Sequence, residues 1–158
     1  MGRDGRHDFD FFFGNWNGQQ RRLRERLNHC TEWEEFTSTT IAQSILDGIG
    51  NIDEVTMYRE SGTGKGFTLR TYDPETQDWY IYWATSLGGF LGTPTIGRFD
   101  GKGRGEFYDH EIFAGQHIFC RFTWTVITPD HCRWEQAFSI DGGASWETNW
   151  ISDFTRPT

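Results

Sequence analysis

A chain of 158 residues can bury roughly 68–70% of the surface its unfolded form exposes, which is enough for a core without metal or disulfide staples. Its net charge of −8 has the wrong sign for neutralising phosphates, and no segment approaches the ~20 apolar residues of a membrane span. Nucleic-acid and membrane partners are therefore not expected. Apolar residues make up only 35%, yet aromatics make up 17%, so the hydrophobic mass sits in a few large rings that suit strands and cavity walls.

The N-terminal stretch mixes Arg3 and Arg6 with Asp4, Asp8 and Asp10 and contains no apolar run of signal-peptide length. The three cysteines, Cys30, Cys120 and Cys132, are odd in number and form no CxxC pair, which fits a reducing compartment. A cytoplasmic protein is expected. Phe9 to Phe13 predict a short helical turn plugging one end of the fold. After it, runs of strand length punctuated by turn residues predict about ten strands. They lie near 15–27, 32–43, 49–59, 66–73, 78–85, 93–100, 105–113, 116–128, 131–140 and 145–155. The turns between them carry Gly, Pro and Asp, as in Glu60-Ser61-Gly62-Thr63-Gly64, Asp73-Pro74, Asp100-Gly101, Pro129-Asp130 and Asp141-Gly142-Gly143. Short connections make successive strands antiparallel neighbours, and closing such a meander removes its two exposed edges. The expected architecture is all-β: one domain over 1–158, a closed up-and-down antiparallel β-barrel. A two-sheet sandwich is the alternative.

Period-two alternation sorts the faces. Ile118, Cys120, Phe122, Trp124 and Val126 share one inward row, and Cys132, Trp134, Gln136 and Phe138 another. Trp146, Thr148, Trp150, Ser152 and Phe154 form a third, and Trp79, Ile81 and Trp83 a fourth. Rings broken by Gln, Thr and Ser read either as the wall of a pocket or as a plain core. On the first strand Trp16, Gln20, Arg22 and Arg24 share a face. Glu34 shares one with Phe36, Ser38, Thr40 and Ala42, and Asn51 and Asp53 with Val55 and Met57. An inward Arg needs a carboxylate or an anionic ligand. Arg22 then pairs with Glu34 as a structural bridge or holds a ligand; Arg70 is a further cationic candidate.

Gly14-Asn15-Trp16, after the Phe-rich turn, resembles the G-x-W of lipocalin-like barrels. The resemblance implies that Trp16 closes the barrel floor beneath an Arg from the last strand, here Arg156. Further stretches carry a wider likeness: His7-Asp8-Phe9-Asp10-Phe11, Arg22-Leu23-Arg24-Glu25-Arg26-Leu27, Thr31-Glu32-Trp33-Glu34-Glu35-Phe36, Gly50-Asn51-Ile52-Asp53-Glu54, Trp134-Glu135-Gln136-Ala137-Phe138-Ser139 and Asp141-Gly142-Gly143-Ala144-Ser145-Trp146-Glu147-Thr148-Asn149-Trp150. Together they resemble the bacterial family catalogued as domain of unknown function 1579, which implies a calycin-type barrel and brings no settled activity. Ser139-Ile140-Asp141-Gly142-Gly143-Ala144-Ser145-Trp146 is similar to the sialidase Asp-box. In that motif the Asp caps a β-hairpin, so the segment is read as the turn joining the last two strands.

The five histidines show no H-x-H or HExxH spacing, no His follows His131 to serve a haem, and no nucleophile elbow or phosphate loop occurs. Neither a metal nor a cofactor is expected. The leading reading is a small-molecule-binding barrel for a partly aromatic, polar or anionic ligand. Its wall would come from Trp83, Trp124, Trp134 and Trp150, and its polar contacts from Gln20, Arg22, Arg24, Glu34, Asn51, Asp53, Arg70 and Gln136. One alternative is a cofactor-independent isomerase, cyclase or hydrolase with Glu34 or Asp53 as base. Another is a packed barrel acting as a homodimeric interaction protein.

Overall fold

The computed structural model describes residues 2–158. Ten strands follow one another: β1 (Gly14–Leu23), β2 (Trp33–Ile45), β3 (Gly50–Arg59), β4 (Gly62–Asp73), β5 (Asp78–Thr85), β6 (Thr95–Phe99), β7 (Arg104–Phe113), β8 (Gln116–Thr128), β9 (His131–Ser139) and β10 (Glu147–Thr155). Each pairs antiparallel with its neighbours in sequence, and β1 also pairs with β10, so the sheet closes into a ring. Closure excludes the sandwich. Outside the strands, 3₁₀ turns form at Asp10–Phe12 and Leu46–Gly48, and among the described residues no helix is long and apolar enough to cross a membrane.

Turn chemistry sets the register. Ala114 and Gly115 join β7 to β8 with φ of 50° and 79°, the left-handed pair that a two-residue hairpin needs to match strand twist. The β3–β4 turn is likewise only Glu60-Ser61, so β4 starts at Gly62 rather than at 66. In the β9–β10 turn the Asp141 carboxylate accepts from the backbone N–H and the hydroxyl of Ser145, which holds its pKa down to about 2. This is the hairpin cap expected of an Asp-box-like segment.

Two expectations are corrected by local geometry. β1 stops at Leu23 instead of reaching 27, because Leu27 and His29 take positive φ and the Leu27 N–H is captured by the Glu147 carboxylate at 2.9 Å. A bulge between Thr148 and Trp150 turns Asn149 fully inward. Trp146 therefore leaves the inward row. It packs instead beside Tyr108 and beneath the Arg121 guanidinium, 4.4 Å from the ring centroid.

One end of the barrel is sealed. Phe9, Phe12 and Trp16 are fully buried among Phe99, Phe107, Trp124 and Phe154. The Trp16 indole donates to the Phe12 carbonyl at 2.8 Å, and the Arg156 guanidinium lies 3.6 Å over the Trp16 ring while donating to the carbonyls of Asn15 and Phe11. The N-terminal segment is tied to the wall by Trp79 Nε1 donating to Gly5 O and by Gly5 N–H donating to Tyr72 Oη.

Candidate functional site

Above this plug the barrel encloses a cavity of about 90 Å³, the space open to the centre of a water molecule. Its aromatic wall is Trp83 from β5, Phe122 and Trp124 from β8, Trp134 from β9 and Trp150 from β10, with Phe12 and Phe154 beneath. Period-two alternation puts these rings on the concave side. They meet edge to face: Trp134 and Trp150 at 5.4 Å, Phe122 and Trp134 at 5.0 Å, Trp83 and Trp150 at 6.3 Å. Trp83 lies across β4 only because residue 66 is glycine; a Cβ there would come within 2.0 Å of the indole.

The polar members divide by depth. Deepest is Arg70, 3% exposed, donating to Asp53 Oδ2 at 2.6 Å and Asn51 Oδ1 at 2.9 Å, with its guanidinium 5.0 Å over Phe9. Arg70 and Asp53 line the cavity; Asn51 stands behind and orients the Arg. Burial pushes the Asp53 carboxyl above its ordinary value, while Arg70 and the hydroxyl of Thr68 pull it back. At mid-depth Gln20 Oε1 accepts from Trp150 Nε1 at 2.7 Å and from the Ser152 hydroxyl, and its amide donates to Ser38 at 3.0 Å. Gln136 donates to Asn149 at 2.9 Å. Among the lining residues, Trp124 Nε1, Thr40 Oγ1 and Arg70 Nε are buried without a hydrogen-bond partner.

Of the residues singled out in the sequence, Gln20, Asp53, Arg70, Trp83, Trp124, Trp134, Gln136 and Trp150 line the cavity. Arg24 does not. Lying past the end of β1, it is exposed and ion-paired with Glu60 at 2.9 Å. Glu34 is buried but faces the β3–β4 turn, where Arg59 reaches it at 2.6 Å and the Glu60 N–H at 3.4 Å. The Arg59 guanidinium holds its carboxyl below the usual range, so Glu34 is withdrawn both as a base and as the partner of Arg22. Arg22 does not line the cavity either; half-buried, it holds its guanidinium 5.0 Å over the ring of Trp150, which does. Pattern reading passed over Thr40, Val55, Met57, Thr68, Ile81, Phe122 and Ser152 as site members, although alternation places each on an inward face.

A separate group, Asp109, Glu111 and Cys120, brings its donor atoms within 4.8 Å of one another on β7 and β8. Burial and then the Glu111 charge push the Asp109 carboxyl up to about 8. The folded chain keeps a proton there that the unfolded chain gives up near the ordinary value of 3.8. Stability from this group is therefore present at acid pH and lost as pH rises toward 8. The urea midpoint of the native protein is expected to fall between pH 5 and 8, and Asp109→Asn to flatten that slope. An unchanged slope in the variant would place the titration elsewhere.

No protein-family model matches the chain, and no curated protein matches it. Among solved structures it is similar to the S-type phycobiliprotein lyase CPES from Guillardia theta, with a TM-score of 0.65 at 12% identity over 96% of this chain and 92% of that one. Identity that low bears on fold alone. With the ring of ten strands, the likeness is one of fold: a closed up-and-down antiparallel β-barrel.

Proposed function

We propose that the barrel binds a small, partly aromatic molecule bearing a polar or acidic group, held among Trp83, Trp134, Trp150 and Phe122. The carrying observation is the cavity itself: rings on the walls, a few fixed polar groups, and space left between them. One water needs roughly 10–15 Å³ by this measure, so about 90 Å³ suits a ligand on the order of one ring. The similarity in fold to a phycobiliprotein lyase is compatible with a small-molecule role and does not name the ligand. Kinship with domain of unknown function 1579 belongs to the same proposal, supported by the six stretches quoted above.

Native mass spectrometry of freshly purified protein, followed by tryptophan fluorescence across a metabolite panel, tests the reading. A retained mass or a saturable response is expected, and Met57→Trp, which fills the cavity without touching its polar groups, is expected to abolish it. A native protein that retains nothing and responds to nothing would overturn it.

A second reading, a cofactor-independent enzyme, keeps one carboxylate. Asp53 lines the cavity, and burial raises its carboxyl above the ordinary value against the pull of Arg70, whereas Glu34 is not in the cavity. The proposal also covers a single-domain organisation over 1–158, a cytoplasmic location, supported by three unpaired thiols, and a homodimer, supported by Leu87 and Phe90 exposed at 99% and 78% in the β5–β6 loop. A size-exclusion mass tests the last.

A further inference from the structure

Two arginines, Arg70 lining the cavity and Arg22 packed on its Trp150 wall, differ in what balances their charge. Arg70, at the bottom, is neutralised by Asp53 at 2.6 Å and held by Asn51, so the deep end presents a closed ion pair with no charge left for a ligand. Arg22, at the top, faces Glu34 across β1 and β2 in the ladder register, but Arg59 and the Glu60 N–H have taken both oxygens of that carboxylate. The other cross-strand neighbour of Arg22 is Trp150, a cavity wall. Arg22 is half-buried against that ring, its Nε is buried without a partner, and among the described residues it forms no ion pair. Two more cations, Arg26 and Arg59, stand close enough to act on its charge; with burial, the largest influence, they outweigh the opposing pull of the Glu34 charge and hold it down to about 10. A guanidinium removed from water without a counter-charge is costly, and an incoming oxyanion relieves both the desolvation and the mutual repulsion.

We propose that Arg22 is the anion-recognition residue of the pocket, and that the ligand is a small planar carboxylate bound ring-down, with its ring among Trp83, Trp134 and Trp150 and its carboxylate at the mouth on Arg22. This rests on the binding reading above and adds polarity and orientation to it. The ring cannot exchange ends with the acid group, because Arg70 below is already neutralised by Asp53 and held by Asn51, so an anion there would meet a closed ion pair.

Calorimetry and saturation-transfer NMR with benzoate and indole-3-carboxylate, each against its neutral amide, test the assignment. The acids are expected to bind at least tenfold tighter than the amides. Arg22→Gln is expected to abolish that preference and Arg22→Lys to keep part of it, since lysine retains the charge and loses the fork. Arg24→Gln, on the exposed ion pair outside the cavity, controls for folding and net charge and is expected to leave the preference intact. Inorganic phosphate, which lacks a ring, is expected to bind far more weakly than the acids. Equal affinity of acid and amide, a preference that survives Arg22→Gln, or no binding of either acid overturns the assignment. A neutral molecule retained in native mass spectra and lost in Met57→Trp would, in that event, leave the binding reading standing.

Discussion

Asp53→Ala is expected to destabilise the barrel by about 3–5 kcal/mol, the cost of leaving a buried guanidinium without its counter-charge. Arg70 and Asp53 are both almost fully enclosed, and the Arg70 guanidinium is packed over the rings of Phe9, Phe12 and Trp124. At roughly 2–4 °C per kcal/mol for a chain of this size, the melting temperature is expected to fall by about 10 °C. The informative partner is the double variant Asp53→Leu with Arg70→Met. Burial already works against the charged form of Asp53, so an apolar pair of similar volume is expected to recover most of the loss. Urea unfolding of native, single and double variants measures this directly. A single variant within about 1 kcal/mol of the native protein would mean that the pair is solvated in solution.

Phe12→Ala carries the second large effect. Phe12 stacks on Trp16 at 5.6 Å and meets Trp124 at 4.8 Å and Phe154 at 5.1 Å edge to face, so removing it deletes the middle of the floor plug. Truncations of this kind cost about 3–5 kcal/mol. Because Phe12 also forms the bottom of the cavity, the space vacated joins the pocket instead of closing over. The variant is expected to lose stability and at the same time to accept ligands at least one ring larger than the native protein does. Urea midpoints and a size-graded ligand series read the two halves separately. Loss of stability with no change in the accepted size would show that the floor collapses.

Much of this was legible in the residues. Period-two runs broken by Gly, Pro and Asp define the strands, and the shortness of every turn leaves closure as the way to hide both edges. The G-x-W stretch anticipated Trp16 under Arg156. Parity along β3 and β9 groups Asp53 with Val55 and Met57 and Gln136 with Trp134 and Phe138, whereas Arg70 stands only as a further cation. What alternation could not convey was partnership. Arg70 reads as one more inward cation until β3 and β4 are laid side by side, when Asn51 and Asp53 fall within its reach. Glu34 lost its expected partner because Arg59, at the tip of a turn shorter than the glycines suggested, arrives from the other side. Arg24 followed the parity of β1 only on paper, since the strand had already ended. Asn149 shows the remaining weakness: one extra residue in a bulge reverses every face beyond it, and neither its side chain nor that of Trp146 announces the event.

The seam where β1 meets β10 joins Arg22 to Trp150 and Gln20 to Ser152, residues from opposite ends of the chain. Bringing such distant segments together is entropically expensive, so this ladder is the natural last step of folding, and until it forms both outer strands lie open to other chains. Gln20 and Arg22 stand on one lip of the seam, Trp150 and Ser152 on the other. A molecule held between them acts as a clasp, and its binding energy is added to the barrel's resistance to reopening along that line.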